Sequence, residues 1–81
     1  MSDQDLLARI KQLVDDEHRL RAKAVAGEVD PVDERKRLAE LEVMLDQCWD
    51  LLRQRRARLD SGMSPDDAQL NSPRQVEGYL Q

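Results

Sequence analysis

The fold of this chain is decided by residues 30–60, which read DPVDERKRLAELEVMLDQCWDLLRQRRARLD. Asp30 can cap a helix, Pro31 suits the first helical position, and Asp33 follows in the first turn. Beyond that start, seam residues recur at alternating steps of three and four, which predicts one long helix of about 45 Å. The seam consists of Leu38, Leu41, Leu45, Cys48, Leu52, Arg55 and Leu59.

A first helix is predicted over about residues 3–26, and the second helix over about residues 31–60. Ser2 can cap the first helix, with Asp5 placed to complete a weak capping box. Gly27 can take the left-handed conformation that ends a helix, and the short link that follows makes the two helices antiparallel. One face of the first helix is apolar at helical spacing: Leu6, Leu7, Ile10, Leu13, Val14, Leu20, Ala24 and Val25. The expected fold is all-α, an antiparallel helical hairpin.

The apolar arc of the second helix is too wide for one partner helix. It extends from Trp49 through the seam to Met44 and Leu51, over roughly 160°, whereas one core-facing stripe needs ~100°. Counting back from the turn, the first helix ends near the level of Arg53, so the last two turns of the second helix would project beyond it. We therefore expect two hairpins to associate as a homodimeric four-helix bundle.

Residues 61–81 form a C-terminal tail with a different pattern. Ser64-Pro65 and Ser72-Pro73 each combine a cap with a proline, which predicts short helical turns. The last such turn would carry three apolar residues on one face. It would either dock on the bundle or serve as a recognition motif for a partner. The three residues are Val76, Tyr79 and Leu80.

Composition bounds the class of protein. The 81 residues allow one small domain, for which oligomerisation is a common source of stability. Charged residues make up 37% and aromatic residues 2%, which is typical of long helices. The net charge of −4 argues against a general nucleic-acid or anionic-membrane binder.

The expected location is the cytoplasm, in soluble form. One cysteine cannot form an internal disulfide, and the acidic start lacks the apolar region of a signal peptide. The apolar runs are far shorter than a membrane span requires.

Three segments of the chain resemble a family of small actinobacterial proteins, the uncharacterised domain-of-unknown-function family numbered twenty-six thirty. They are residues 13–21 (LVDDEHRLR), residues 45–58 (LDQCWDLLRQRRAR) and residues 76–81 (VEGYLQ). The resemblance spans nearly the whole chain and implies a bacterial cytoplasmic protein. Because the family has no assigned activity, the resemblance implies no functional residues.

The cluster Asp15, Asp16, Glu17 and His18 carries metal-ligand chemistry. A carboxylate-bridged metal site in a bundle needs Glu-x-x-His pairs that point inward from facing helices. Here the pair is Asp15 and His18, and Asp15 points away from the apolar arc. A solvated acidic face, with the ion pairs Asp15–Arg19 and Glu17–Arg21 one turn apart, is the favoured explanation of the cluster. A metal-binding bundle therefore stays a second alternative, and no metal ligand or cofactor is assigned.

The cluster Arg53, Arg55, Arg56 and Arg58 supports the first alternative, a nucleic-acid-associated protein. The four side chains are spread over more than half of the helix circumference, and no aromatic residue lies among them to stack on bases. Basic residues in the last turns of a helix also favourably oppose its dipole.

Three charges interrupt the apolar arcs: Glu17, Arg37 and Arg55. A charge in a seam is costly unless it is paired, but it can fix register or oligomeric state. We predict that Glu17 pairs with Arg37 of the same chain or with Arg55 of another subunit. The alternative is that Glu17 extends to water near the turn.

Nothing in the sequence predicts an enzyme. Cys48 and His18 lie several turns apart in the hairpin register, and the chain lacks a glycine-rich phosphate loop, a Ser/His/Asp set and zinc-ligand spacing. The expected function is that of a non-enzymatic helical interaction or structural module. It would act as a homo-oligomer, with room for a further protein partner. Its core and oligomer interface would be formed by Leu38, Leu41, Leu45, Cys48, Trp49, Leu52 and Leu59.

Overall fold

The structure, a computed structural model, describes residues 2–70. Two helices account for most of them: α1 (Asp3–Val25) and α2 (Pro31–Asp60), followed by a short 3₁₀ turn (Pro65–Asp67). The helices pack against each other as a hairpin, and residues 2–70 contain no strand. The predicted all-α helical hairpin is thus confirmed. The four-helix bundle stays a prediction.

The start of α1 is fixed by a capping box between two residues. The Ser2 hydroxyl accepts the Asp5 backbone N–H at 3.1 Å, and the Asp5 carboxylate accepts the Ser2 backbone N–H at 3.1 Å. The backbone and hydroxyl of Ser2 together lower the pKa of Asp5 below its ordinary value. The first turn is also acidic, which suits the positive end of the helix dipole.

Both helices end in the same way, at a glycine in the left-handed region. Gly27 has φ +77°, and the next N–H, that of Glu28, donates to the carbonyl of Lys23 at 2.9 Å. Gly62 has φ +76°, and the Met63 N–H donates to the carbonyl of Arg58 at 2.7 Å. Side chains other than glycine rarely adopt these angles, so each glycine marks where the chain leaves its helix.

The start of α2 follows from its first two residues. The Asp30 carboxylate accepts the Val32 backbone N–H at 2.8 Å, and Pro31 occupies the first helical position. The observed bounds of α1 and α2 lie within one residue of the predicted ones, because the caps are local.

The core lies between α1 and α2. Leu6, Leu13 and Leu41 are the most deeply buried side chains, each at most 2% exposed. Around them, buried apolar residues from both helices form one cluster, with several half-buried residues packed against it. Its buried members are Leu6, Ile10, Leu13, Leu41, Cys48, Leu51 and Leu52.

Residues 61–70 turn back along the end of α2, where this helix projects beyond α1 as expected. The Gln54 amide nitrogen donates to the Gln69 carbonyl at 2.7 Å, and the Gln69 N–H donates to the Gln54 side-chain oxygen at 3.3 Å. Ala68 packs against the core cluster. We call residues 61–70 the return segment. It supplies a second partner for α2, and this accounts for part of the wide apolar arc.

The predicted turn at Ser72-Pro73 and its residues Val76, Tyr79 and Leu80 lie outside the described residues, so docking of the tail stays a prediction. Within residues 2–70, neither helix is long and apolar enough to cross a membrane.

Candidate interaction surface

Arg55 joins three parts of the chain. Its Nε donates to Oδ1 of Asp3 at 2.7 Å, and its Nη1 lies 3.3 Å from Oδ1 of Asp66 and 3.4 Å from the Pro65 carbonyl. The residue is buried, with 7% of its surface exposed. The hydrogen bond to Asp3 is the largest influence on the pKa of Arg55, which is raised; burial opposes that shift and Asp66 adds to it. We call these contacts the Arg55 clamp.

The clamp fixes the start of α1 and the return segment to the same point of α2. A buried guanidinium is costly unless its donors are paired, and here two carboxylates and a carbonyl pair them. The sequence predicts Arg55 as a charge within the seam, but it does not predict Asp3 and Asp66 as its partners. The clamp also sets the register: Asp3 lies at the level of Arg55, close to the level expected from counting back along the hairpin.

The predicted pairing of Glu17 with Arg37 of the same chain is wrong, and its pairing with Arg55 of another subunit stays a prediction. Glu17 instead pairs with Arg21, one turn later on the same helix, at 3.4 Å. Arg37 is exposed and pairs with Glu40 at 3.1 Å, so it is not a buried charge. Glu17 is half-buried at the seam. Glu17 pairs with Arg21 because an arginine four residues later lies on the same face of the helix and can reach the carboxylate.

The residues predicted for the core and oligomer interface separate into three groups by burial. Leu41, Cys48 and Leu52 are buried in the core. Leu38 and Leu45 are half-buried in the single chain. Trp49 and Leu59 are exposed in the single chain, by 43% and 54%, and do not belong to its core. Leu38, Leu45 and Trp49 lie along one edge of the packed seam, whereas Leu59 is in line with Leu41 but near the C-terminal end of α2.

One side of the hairpin is polar. A surface groove between the helices is lined by Asp16, Leu20 and Arg37, among others. In α2, Arg37 is four residues before the core residue Leu41, so it is turned about 40° to one side of it. In α1, Asp16 is three residues after Leu13 and is turned about 60° to the same side of the hairpin.

The opposite side is more apolar, although exposed Arg56 follows Trp49 by seven residues at the end of the same strip. Leu45, four residues after Leu41, is turned about 40° the other way, and Leu38 and Trp49 continue this strip. In α1, Leu7 and Val14 are seven residues apart and lie on the side away from Asp16. The clamp register places them within about one turn of Trp49 and Leu45. We call this surface the apolar face; it consists of Leu7, Val14, Leu38, Leu45 and Trp49.

Within residues 2–70, the apolar face is partly open along α2. Trp49 and Leu7 are each 43% exposed. The return segment lies on a different side of α2, since it contacts Gln54 and Arg55. A residue such as Trp49 is turned by well over 90° from Gln54 around the helix axis. The return segment therefore leaves the strip through Leu45 and Trp49 uncovered.

The arginine cluster does not form one surface. Arg55 is buried and paired in the clamp, whereas Arg53 and Arg56 are exposed and Arg58 is half-buried. Arg53 lies 4.0 Å from the buried carboxylate of Asp50, which also accepts the Gln54 amide at 3.0 Å. The cluster is thus divided between an internal and an external part.

The acidic cluster of α1 forms contacts within its own helix. Asp16 accepts the Gln12 amide at 3.0 Å and lies 3.5 Å from Arg19. Asp15 and His18 are exposed. In the part of the chain that the structure describes, no group of three histidine, cysteine or carboxylate side chains is placed to hold a metal ion.

Cys48 is a buried free thiol. Burial raises its pKa above the ordinary value, and the charge of Arg9 opposes that shift. A raised pKa lowers the thiolate fraction at neutral pH, and the thiolate is the reactive form. The residue therefore behaves as a small core side chain.

Several residues of these surfaces were missed or misassigned at the level of sequence. Asp3 and Asp66 were not recognised as partners of Arg55, although the hairpin register already placed the start of α1 near it. Leu7 and Val14 were assigned to a single core face, because periodicity alone does not separate a buried strip from its exposed neighbour.

These observations define a small helical-hairpin protein with a clamped end and an open apolar side. The chain matches the family described as "Protein of unknown function (DUF2630)" over residues 2–81, and it belongs to that family. Uncharacterised proteins of Mycobacterium bovis and of two strains of Mycobacterium tuberculosis are each 45% identical to it over 78 residues, covering 96% of this chain and 90% of the relative. No solved structure matches it significantly. The resemblance seen in the sequence is confirmed.

Proposed function

We propose that this protein is a helical interaction module that acts as a homodimer through the apolar face. The observation that carries the proposal is the position of Trp49. This large aromatic side chain is 43% exposed on the strip that also holds half-buried Leu38 and Leu45. Aromatic residues on an exposed apolar strip are typical of interface cores.

The size of the hairpin supports the same proposal. Two helices bury one stripe each, and a chain this small gains a limited core from them. A second copy would bury the remaining strip of α2 and convert two hairpins into a four-helix bundle, in which each helix has two neighbours. The module would then act by binding and not by a reaction.

Trp49 is the single tryptophan, so its fluorescence tests the proposal directly. We expect light scattering at micromolar concentration to give about twice the 9.4 kDa chain mass. We expect the emission maximum to shift to the red on dilution, because the indole leaves the interface and enters water. A 9.4 kDa species at every concentration, with cooperative melting, would refute the homodimer.

A pair of variants locates the contact. Leu7→Lys places a charge on the apolar face at a position that is already 43% exposed, so it should weaken the dimer and leave the hairpin folded. Val32→Lys is the control, because Val32 is 63% exposed and lies on another side of α2. Equal dimer affinities for the two variants would place the contact elsewhere.

A further inference from the structure

We propose that the two copies meet through an antiparallel contact between their α2 helices, with a two-fold axis between Leu45 and Trp49, and that four charged residues set this orientation. The inference rests on the proposed homodimer and adds its geometry. The two charge pairs are Glu42 with Arg53 of the second copy, and Arg35 with Asp60 of the second copy.

We place the centre of the contact between the two apolar residues of the strip that lie one turn apart, Leu45 and Trp49. Leu45 is half-buried and packs against the core, and Trp49 is 43% exposed. A closed dimer brings the same patch of both copies together around its two-fold axis. Leu45 then lies opposite Trp49 of the second copy, and the reverse contact follows by symmetry.

Four exposed charged residues border this strip along one edge, and half-buried Asp46 lies within about 40° of them around the helix. Arg35, Glu42, Arg53 and Asp60 are all exposed and lie within about 20° of one another around the helix. Glu42 and Arg53 are nearly equidistant from the axis, one on each side, and so are Arg35 and Asp60. In an antiparallel pair, equal distances on opposite sides bring residues of the two copies to the same level. Each level then holds one carboxylate and one guanidinium.

The pairing of these charges agrees with a centre between Leu45 and Trp49. In a parallel two-fold pair, this edge of one copy would face the opposite edge of the second copy, so the four charges would not meet one another. The signs of the four exposed residues along the edge, plus, minus, plus, minus, are complementary to themselves when one copy is reversed.

The four groups are available for such contacts. Among residues 2–70, Arg35, Glu42 and Asp60 have no ion-pair partner within 4 Å, and none of them makes a side-chain hydrogen bond there. Arg53 has a side chain that is 60% exposed and is 4.0 Å from Asp50, a distance at the limit of an ion pair. Rim charges of this kind add little affinity, but they select orientation and partner.

Charge reversal with a swap tests the pairing in the full-length chain. Glu42→Arg and Arg53→Glu should each weaken dimerisation by about ten-fold or more, since each variant creates two like-charged contacts per dimer. The double variant should restore the dimer dissociation constant to within about three-fold of the original chain. Lys36→Glu is the control, because it also changes the net charge by two units but lies on the side of α2 away from the strip. It should leave the dimer dissociation constant unchanged. Sedimentation equilibrium measures all four variants beside the unmodified chain.

The outcomes separate this inference from the proposed function. Weakening by both single variants with recovery in the double variant supports the antiparallel contact. If all variants dimerise with the same affinity as Lys36→Glu, the antiparallel contact is wrong and the proposed homodimer stands. A monomeric unmodified chain overturns the homodimer itself.

Discussion

Nε of Arg55 lies 2.7 Å from Oδ1 of Asp3, a residue 52 positions earlier in the chain. This ion pair is the longest-range polar contact among the hydrogen bonds of residues 2–70, and it connects the first turn of α1 to the last third of α2. On its other side the same guanidinium contacts Asp66 of the return segment. One side chain thus holds together three segments that local interactions would leave independent.

Loss of the Arg55 clamp should lower thermal stability. Arg55→Ala leaves the two carboxylates without their shared partner, and we expect the melting temperature to fall by roughly 5–10 °C in a domain of this size. Arg53→Ala is the matched control, since Arg53 is exposed and its ion pair is long; its melting temperature should change by less than ~3 °C. Equal shifts, measured by circular dichroism, would show that the clamp does not stabilise the fold.

The two arms of the clamp should differ in strength. Asp3 is closer to Arg55 than Asp66 is, and its side chain is less exposed, 40% against 74%. We therefore expect Asp3→Asn to lower the melting temperature more than Asp66→Asn does. In the Arg55→Ala background this difference should largely disappear, and its persistence there would assign the effect of Asp3 to the helix start instead.

The core should be most sensitive at its deepest residues. Leu13→Ala and Leu41→Ala each remove a side chain that is 1% exposed, which should lower the free energy of unfolding by about 2–5 kcal/mol. Val25→Ala, at a position 90% exposed, should stay within ~0.5 kcal/mol of the original chain. Urea denaturation at two protein concentrations measures these values. If folding and assembly are coupled, the apparent stability rises with concentration.

Replacement of Glu17 should stabilise the hairpin. Glu17 is half-buried at the seam and has a weak local partner, Arg21, whose side chain is 53% exposed. Glu17→Leu exchanges this charge for apolar burial, and we expect a gain of about 1 kcal/mol in the free energy of unfolding. Asp15→Leu is the control on the exposed side of α1 and should give no gain. A destabilised Glu17→Leu would indicate that the carboxylate has a structural role, such as fixing the register.

The Cys48 thiol should make stability depend on alkaline pH. Its pKa in the folded chain lies above the ordinary value of 9.0, because burial disfavours the thiolate. The unfolded chain therefore loses this proton first, and the stability that the neutral thiol provides is fully present below pH 9.0 and is lost as the pH rises through the folded pKa. The free-energy difference between the original chain and Cys48→Ala should be constant below pH 9.0 and narrow above it. A constant difference at all pH values would contradict this burial effect.

Local sequence was sufficient for the helices because the signals that start and end them act over a few residues. The Ser2–Asp5 box, the Asp30 cap and the two glycines with positive φ each operate within one turn, and they placed the helix ends within one residue. The alternating steps of three and four residues likewise identified Leu41 and Leu52 as apolar residues of α2 that face the core. A short link between two long helices then leaves an antiparallel hairpin as the simple packing.

The tertiary structure decided which charged residues pair across the hairpin and which apolar residues are buried. The sequence marked Arg55 as a charge that needs a partner, but the choice of Asp3 and Asp66 depends on the register of two helices and on the reversal of the chain after Gly62. The same applies to the division of the apolar residues into a buried core and an open strip. Periodicity fixes the angle of a side chain around its own helix, whereas burial depends on what a second, distant segment covers.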